Sequence, residues 1–278
     1  RRRESPPLGD KETVSVGRTL PLALFAVGAG TFPYCVQRVF LETPIERQMG
    51  TVQKIFYFHV PLAWIMMLMG VVCGIAAGIQ LRRRSVRAEA TAIAAAEIVL
   101  VAGLGVLITG PIWGHATWGK AWTWDARQVT TGLLWLIFAA YVLVRHYGAA
   151  GSERLAAALA IFGAIDVPII YYAVKIWKTT HPDNSVVGSL PPQMWASLWP
   201  CLGALLAMAL GLMLTRVRQE VAEITLDEGW VRIDDVARAM AADAAAAADD
   251  PGADDPDAND SADAEQEPDV QDASEDEG

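Results

Sequence analysis

Six stretches of the chain run apolar for about 20 residues, the length of helix that crosses a hydrocarbon core roughly 30 Å thick. Thr19 to Gln37 lies without a charge between Arg18 and Arg38, and Ile55 to Leu81 is free of Asp, Glu, Lys and Arg. Ala88 to Ile112 holds Glu97, Val129 to Val144 is bounded by Arg127 and Arg145, Leu155 to Val174 holds Asp166 and Pro168, and Met194 to Thr215 closes the series. The pattern predicts an all-α polytopic membrane protein, with six transmembrane helices over residues 18–216. Residues 1–17 form an N-terminal segment, 217–240 a short interfacial or cytoplasmic helix, and 241–278 an acidic, Ala/Asp-rich disordered tail. The first stretch lacks a small-residue cleavage pattern and is expected to remain as an uncleaved span.

Lys and Arg near span ends are retained on the cytoplasmic side, so their positions orient the bundle. Arg82, Arg83, Arg84 and Arg87 follow the second span, Arg145 and Arg154 flank the turn after the fourth, and Arg216 and Arg218 follow the sixth. With Arg1 to Arg3, Lys11 and Arg18 before the first span, all fall on one side if both termini are cytoplasmic. The opposite, outer side receives the turn around Glu42 to Lys54, the Trp-rich loop 113–128 and the loop 177–193. The expected location is the plasma membrane of a prokaryote.

Charge changes this picture only at the C-terminus. Residues 241–278 carry 15 Asp or Glu and no Lys or Arg, so the formal charge of −10 belongs to the tail and the membrane body is basic. The tail and the scarcity of Lys suit a halophilic source, and equally an ordinary disordered tail. No basic run is long enough to track phosphates, which disfavours nucleic acid as a partner. Cys35, Cys73 and Cys201 form no C-x-x-C pair, and C-x-x-C-H is missing, so covalent haem attachment is excluded.

Three of the four histidines, His59, His115 and His181, fall at the outer side, each in a different connection. Four of the ten tryptophans, Trp113, Trp118, Trp122 and Trp124, sit in PIWGHATWGKAWTWDAR, closed by Asp125 and Arg127. An aromatic belt would spread its indoles over many span ends and both leaflets; here they are confined to one loop. If that loop is helical, Trp118 and Trp122 share a face near Asp125, making a flat indole shelf suited to a large planar ligand. Arg127 and Lys120 are candidates to meet carboxylates at its edge, Arg with the better bidentate geometry. Neutral imidazole ligates iron, and His59 and His181 reach one membrane level from different segments. The constellation reads as a haem site.

At these residues the chain resembles the haem-handling membrane proteins of cytochrome c maturation, marked by a Trp-rich "WWD" loop flanked by haem-ligating histidines. Over about residues 18–216 it is most similar to the haem exporter protein C (CcmC) type, and the specific part is Trp118, Gly119, Trp122, Trp124, Asp125 and Arg127. The resemblance implies that His59, followed by Val60 and Pro61, and His181 are axial ligands to iron. It further implies that Trp113, Trp118, Gly119, Lys120, Trp122, Trp124, Asp125 and Arg127 form the surrounding haem site. The cargo implied is haem b, held non-covalently at the outer face and handed to a CcmE-type haem chaperone. Partners implied are ATP-driven transporter subunits of the CcmA and CcmB type and a small CcmD-type protein; the role is hand-over rather than enzymatic turnover. His115 lies outside the motif and is read as an interfacial residue.

Glu97 and Asp166 lie within spans, where an unpaired charge costs about 2.5–3.5 kcal/mol on insertion scales. Helix-packing contacts with the carboxyl neutral or hydrogen-bonded are expected for both. Gly70, Gly74 and Gly78 repeat at four-residue spacing, as close helix approach requires. Two rival functions remain open on the residues alone. A transporter permease would need a polar midplane site, and a b-type cytochrome in electron transfer would need a second histidine pair deeper in the bilayer.

Overall fold

A computed structural model describes residues 11–149, 151–177, 179–182 and 185–248. The extreme N-terminal segment and most of the acidic tail lie outside the described residues. The chain forms two compact units, residues 1–225 and 226–278. Among the described residues there is no strand, and six helices are long and apolar enough to cross a membrane.

The helices are α1 (Lys11–Gln37), α2 (Phe56–Arg83), α3 (Val86–Trp118), α4 (Ala126–Tyr147), α5 (Glu153–Ile176), the one-turn α6 (Ser185–Gly188) and α7 (Pro192–Ala248). A π-helical turn, Arg38–Glu42, extends α1, and a 3₁₀ turn, Thr51–Ile55, leads into α2. In the second unit the described residues are helical to Ala248, with Leu226, Trp230, Ile233 and Met240 exposed.

Local chemistry sets the breaks. Arg84, with φ of 49°, ends α2, and the Ser85 hydroxyl accepts the Ala88 N–H to start α3 two residues later. A hairpin this tight makes α2 and α3 antiparallel neighbours along their length. The far end of α3 differs from expectation: the helix passes through Pro111 and Gly114 and stops at Trp118. Trp113 and His115 therefore belong to a helix rather than to a loop. A membrane helix tolerates Pro and Gly where neighbours re-satisfy the freed backbone groups. Gly119, at φ of 72°, is the cap, and its N–H bonds the His115 carbonyl at 2.9 Å, the left-handed ending that glycine adopts without steric cost.

The core joins α2, α3, α4, α5 and α7 through Ile65, Met66, Met69, Val99, Leu134, Phe138, Ala160, Ala209 and Met213. Small residues bring the backbones together, as in membrane bundles generally. A Cβ at Gly70 would lie 3.3 Å from the Phe138 ring, and one at Gly163 would lie 2.7 Å from it. Nothing lies within 4 Å of a Cβ at Gly78, so the glycine series works only over its first two members. α1 meets α7 at Gly28 and Gly211, and a second cluster buries Cys35, Tyr57, Leu198 and Cys201. Two cysteines 166 positions apart thus share one apolar cluster. Outward faces stay apolar, with Leu22, Val101, Leu136 and Ile165 exposed.

Candidate functional site

A cavity of about 710 Å³ opens where α2, α3 and α4 meet the chain before α7. That volume lies within the range of ordinary ligand pockets. Both predicted ligand histidines line it: His59 one turn into α2, and His181 from the segment between α5 and α6. Trp113, Trp118, Trp122 and Arg127 line it as well. Sequence reasoning did not find its apolar wall, which includes Phe56, Met66, Met67, Val106 and Met194. Nothing in a uniformly apolar span marks these residues in advance.

The two imidazoles are set alike. His59 Nδ1 lies 2.8 Å from Thr109 Oγ1, and the Thr109 hydroxyl donates to the Gly105 carbonyl at 2.6 Å. The one hydroxyl proton is thereby committed, so Nδ1 must donate and Nε2 carries the lone pair. His181 Nδ1 lies 2.9 Å from the Pro182 carbonyl, which only accepts, so its Nε2 is unprotonated too. Burial first, and then the nearby Arg127 charge, push the His181 imidazole down to about 4, against the opposing pull of the Pro182 carbonyl and Asp125. It is neutral at ordinary pH, the state a metal ligand requires.

The indoles do not form a flat shelf. Residues 119–125 are not helical. Trp113 and Trp118 meet edge to face, with centroids 5.2 Å apart and planes at 62°; Trp122 and Trp124 meet at 5.8 Å and 82°. Trp113 also meets the His181 ring edge to face at 6.3 Å. Gly114 permits this fold: a Cβ there would lie 3.2 Å from the Lys120 carbonyl and 3.4 Å from the Trp118 ring.

Four residues of the motif sit outside the cavity wall. Gly119 caps α3, Lys120 is exposed, and Trp124 is 78% exposed with φ of 56°. Asp125 is spent on the backbone and on the neighbouring loop. Its Oδ1 accepts the Gln128 N–H at 3.0 Å, which starts α4, and its Oδ2 accepts the Thr180 hydroxyl at 2.8 Å and the Thr180 N–H at 3.3 Å. Burial alone would raise this carboxyl; the donors from Gln128, Thr180 and Thr123 outweigh burial and hold it below the usual range. Asp125 therefore ties the Trp-rich segment to the segment carrying His181. His115 is exposed and outside the wall.

Unused polar capacity tests the fit to a ligand with carboxylates. Among the described residues, six buried side-chain polar atoms have no partner, and three of these belong to the cavity wall: Trp113 Nε1, Trp122 Nε1 and Gln53 Oε1. Trp135, by contrast, donates its indole N–H to the Leu100 carbonyl at 3.0 Å. Buried donors are ordinarily paired, so two bare indole N–H groups in a cavity that Arg127 also lines suit an anionic ligand edge. Imidazole nitrogens, aromatic edges and donors together fit a metalloporphyrin.

Glu97 makes the expected helix-packing contact: Arg216 Nε on α7 reaches its carboxylate at 2.9 and 3.1 Å, with His146 Nε2 at 3.8 Å. Asp166 is buried, and one of its carboxyl oxygens has no partner.

Over residues 10–232 the chain matches the family model described as Heme exporter protein C. Heme exporter protein C of Escherichia coli K12 is 32% identical over 194 residues, covering 68% of this chain and 78% of that protein. Its counterpart in Haemophilus influenzae is 30% identical over 200 residues, 68% of this chain and 79% of that protein. The Bradyrhizobium diazoefficiens protein of the same name is 36% identical over 146 residues, 52% of this chain, and the match spans 56% of that relative's length.

Proposed function

The chain belongs to the Heme exporter protein C family, and from that premise we propose that it binds haem b non-covalently at the outer membrane face. It then hands the haem to a CcmE-type chaperone during cytochrome c biogenesis. The observation that carries this reading is the pair of imidazoles on one cavity wall, each holding its proton on Nδ1. Nε2 of His59 and Nε2 of His181 are the iron ligands. Haem supplies an iron with two axial positions; the chain supplies nitrogens held by outer partners, which keep the rings oriented. Trp113, Trp118 and Trp122 exclude water around the macrocycle, while Arg127 and the bare indole N–H groups receive the propionates. Gly119, Lys120, Trp124 and Asp125 complete the motif from outside the wall, shaping the segment and presenting it to the chaperone.

In this reading both termini are cytoplasmic, the site faces outward, and the chain works in the plasma membrane beside CcmA-, CcmB- and CcmD-type subunits. It performs no turnover of its own. The pairing of Glu97 with Arg216 removes one of the two intramembrane carboxyls a permease would use and leaves Asp166 as the other.

The test is an absorbance spectrum of the full chain purified from a haem-replete host. Sub-stoichiometric haem b that moves to an added apo-chaperone, and is lost in both His59→Ala and His181→Ala, is the expected result. A haem-free protein, or full occupancy with fast reversible redox cycling, overturns the proposal in favour of a permease or a cytochrome respectively.

A further inference from the structure

The contact between His59 and Thr109 joins two helices, 50 positions apart in sequence. Thr109 lies on α3 and His59 on α2, and these two helices pack along their length. The hydroxyl sits 2.6 Å from the Gly105 carbonyl one turn earlier on its own helix, so its rotor and its proton are both fixed. A hydroxyl whose proton is already given away presents only lone pairs. Next along α3, Gly110 leaves the imidazole room: a Cβ there would lie 3.3 Å from His59 Cε1. Among the described residues, His181 Nδ1 has no hydrogen-bond partner on another helix. Its Nδ1 acceptor is the carbonyl of the next residue in the same segment.

We propose that Thr109 is the positioning residue for His59, fixing the Nδ1–H tautomer and ring orientation so that Nε2 meets the ligand in the cavity. His59 is in consequence oriented from a neighbouring helix, whereas the Nδ1 partner of His181 lies within its own segment. The inference rests on the haem-binding reading for its purpose, but the hydrogen bond itself is tested without haem. Outer partners of metal-bound histidines typically govern affinity by roughly 10- to 100-fold, the size of effect expected here.

The first measurement uses the full chain, haem-free, with 15N-labelled histidine, and the His59 signals identified by their loss in His59→Ala. In the parent protein Nδ1 is protonated and Nε2 is not. Thr109→Val, which keeps the shape and loses the acceptor, shifts His59 toward Nε2–H and leaves the His181 signals in place. Thr109→Ser restores the parent pattern, and Thr109→Ala replaces the Val variant if packing rejects it.

The second measurement is haem retention and the low-spin absorbance bands of the same variants. Retention is expected to weaken roughly 10- to 100-fold in Thr109→Val and to recover in Thr109→Ser. An unchanged His59 tautomer in Thr109→Val overturns the proposal, and so does unchanged retention alongside a changed tautomer. If the parent chain takes up no haem, the function reading fails, and the nitrogen signals alone decide whether Thr109 sets the tautomer.

Discussion

The two ends of α3 treat polar groups in opposite ways. Near its start, Glu89 pairs with Arg145 of α4, and Glu97 pairs with Arg216 of α7, which also reaches Glu220 and Glu223. Near its end, Trp113 keeps a buried N–H without a partner, and Trp122, just beyond the cap, does the same. One end pairs its carboxylates with arginines of two other helices, leaving Arg145 Nε as its one bare buried atom among the described residues, and so ties three helices together. The other leaves two buried indole N–H groups without a partner. Interior polar atoms are ordinarily satisfied, so the bare indoles support the binding role proposed for this end, and the pairs a structural role for the other.

The contrast can be broken from either end. The largest stability effect is expected at the paired end. Glu97→Ala removes a two-contact partner of Arg216 and is expected to cost about 2 kcal/mol. That is less than the loss of a fully buried pair, because Arg216 keeps Glu220 and Glu223. Thermal unfolding in detergent measures it, and haem absorbance of the folded fraction should not change. Asp125→Ala sharpens the comparison at the other end. Losing the cap of α4 costs about 1 kcal/mol, and freeing the Thr180 segment should also weaken His181 ligation, seen as mixed-spin haem bands. Asp125→Asn keeps much of the stability but should not restore the clasp to Thr180.

Gly119→Ala places a side chain at φ of 72° and is expected to lower stability by about 1 kcal/mol, with a smaller change in haem retention. Trp124→Ala should have the least effect on the fold. Its indole is 78% exposed, so stability should stay within about 0.5 kcal/mol. Transfer to the chaperone, rather than haem retention, should fall in this variant. A retention loss there as large as in His181→Ala would contradict the placement of Trp124 outside the cavity.

Sequence pattern was enough for the six spans, because apolar length is a direct reading of bilayer thickness. Of the residues singled out from sequence, His59, His181, Trp113, Trp118, Trp122 and Arg127 line one cavity. Thr109 was invisible, because an isolated Thr in an apolar span carries no periodic signal and its partner lies 50 positions away. Asp125 was legible only as a member of the Trp-rich motif, because its bond to Thr180 crosses 55 positions. The end of α3 was placed at Ile112, where the Trp-rich segment begins, whereas the helix runs on to Trp118 with Pro111 and Gly114 carried among packed neighbours. The flat shelf failed for a related reason. It assumed helical spacing beyond Gly119, where the left-handed cap turns the chain away.

The close backbone approach of α1 to α7 bears on how such a chain is assembled. A Cβ at Gly28 would lie 2.5 Å from the Ala204 carbonyl, and one at Gly211 would lie 2.7 Å from the Pro21 carbonyl, so each helix has a notch shaped for the other. Synthesis delivers α1 before α7, while α2 to α5 pair as sequential neighbours in between. The notch on α1 therefore faces lipid until α7 arrives, a wait the bilayer tolerates because acyl chains solvate an apolar helix about as well as another helix does.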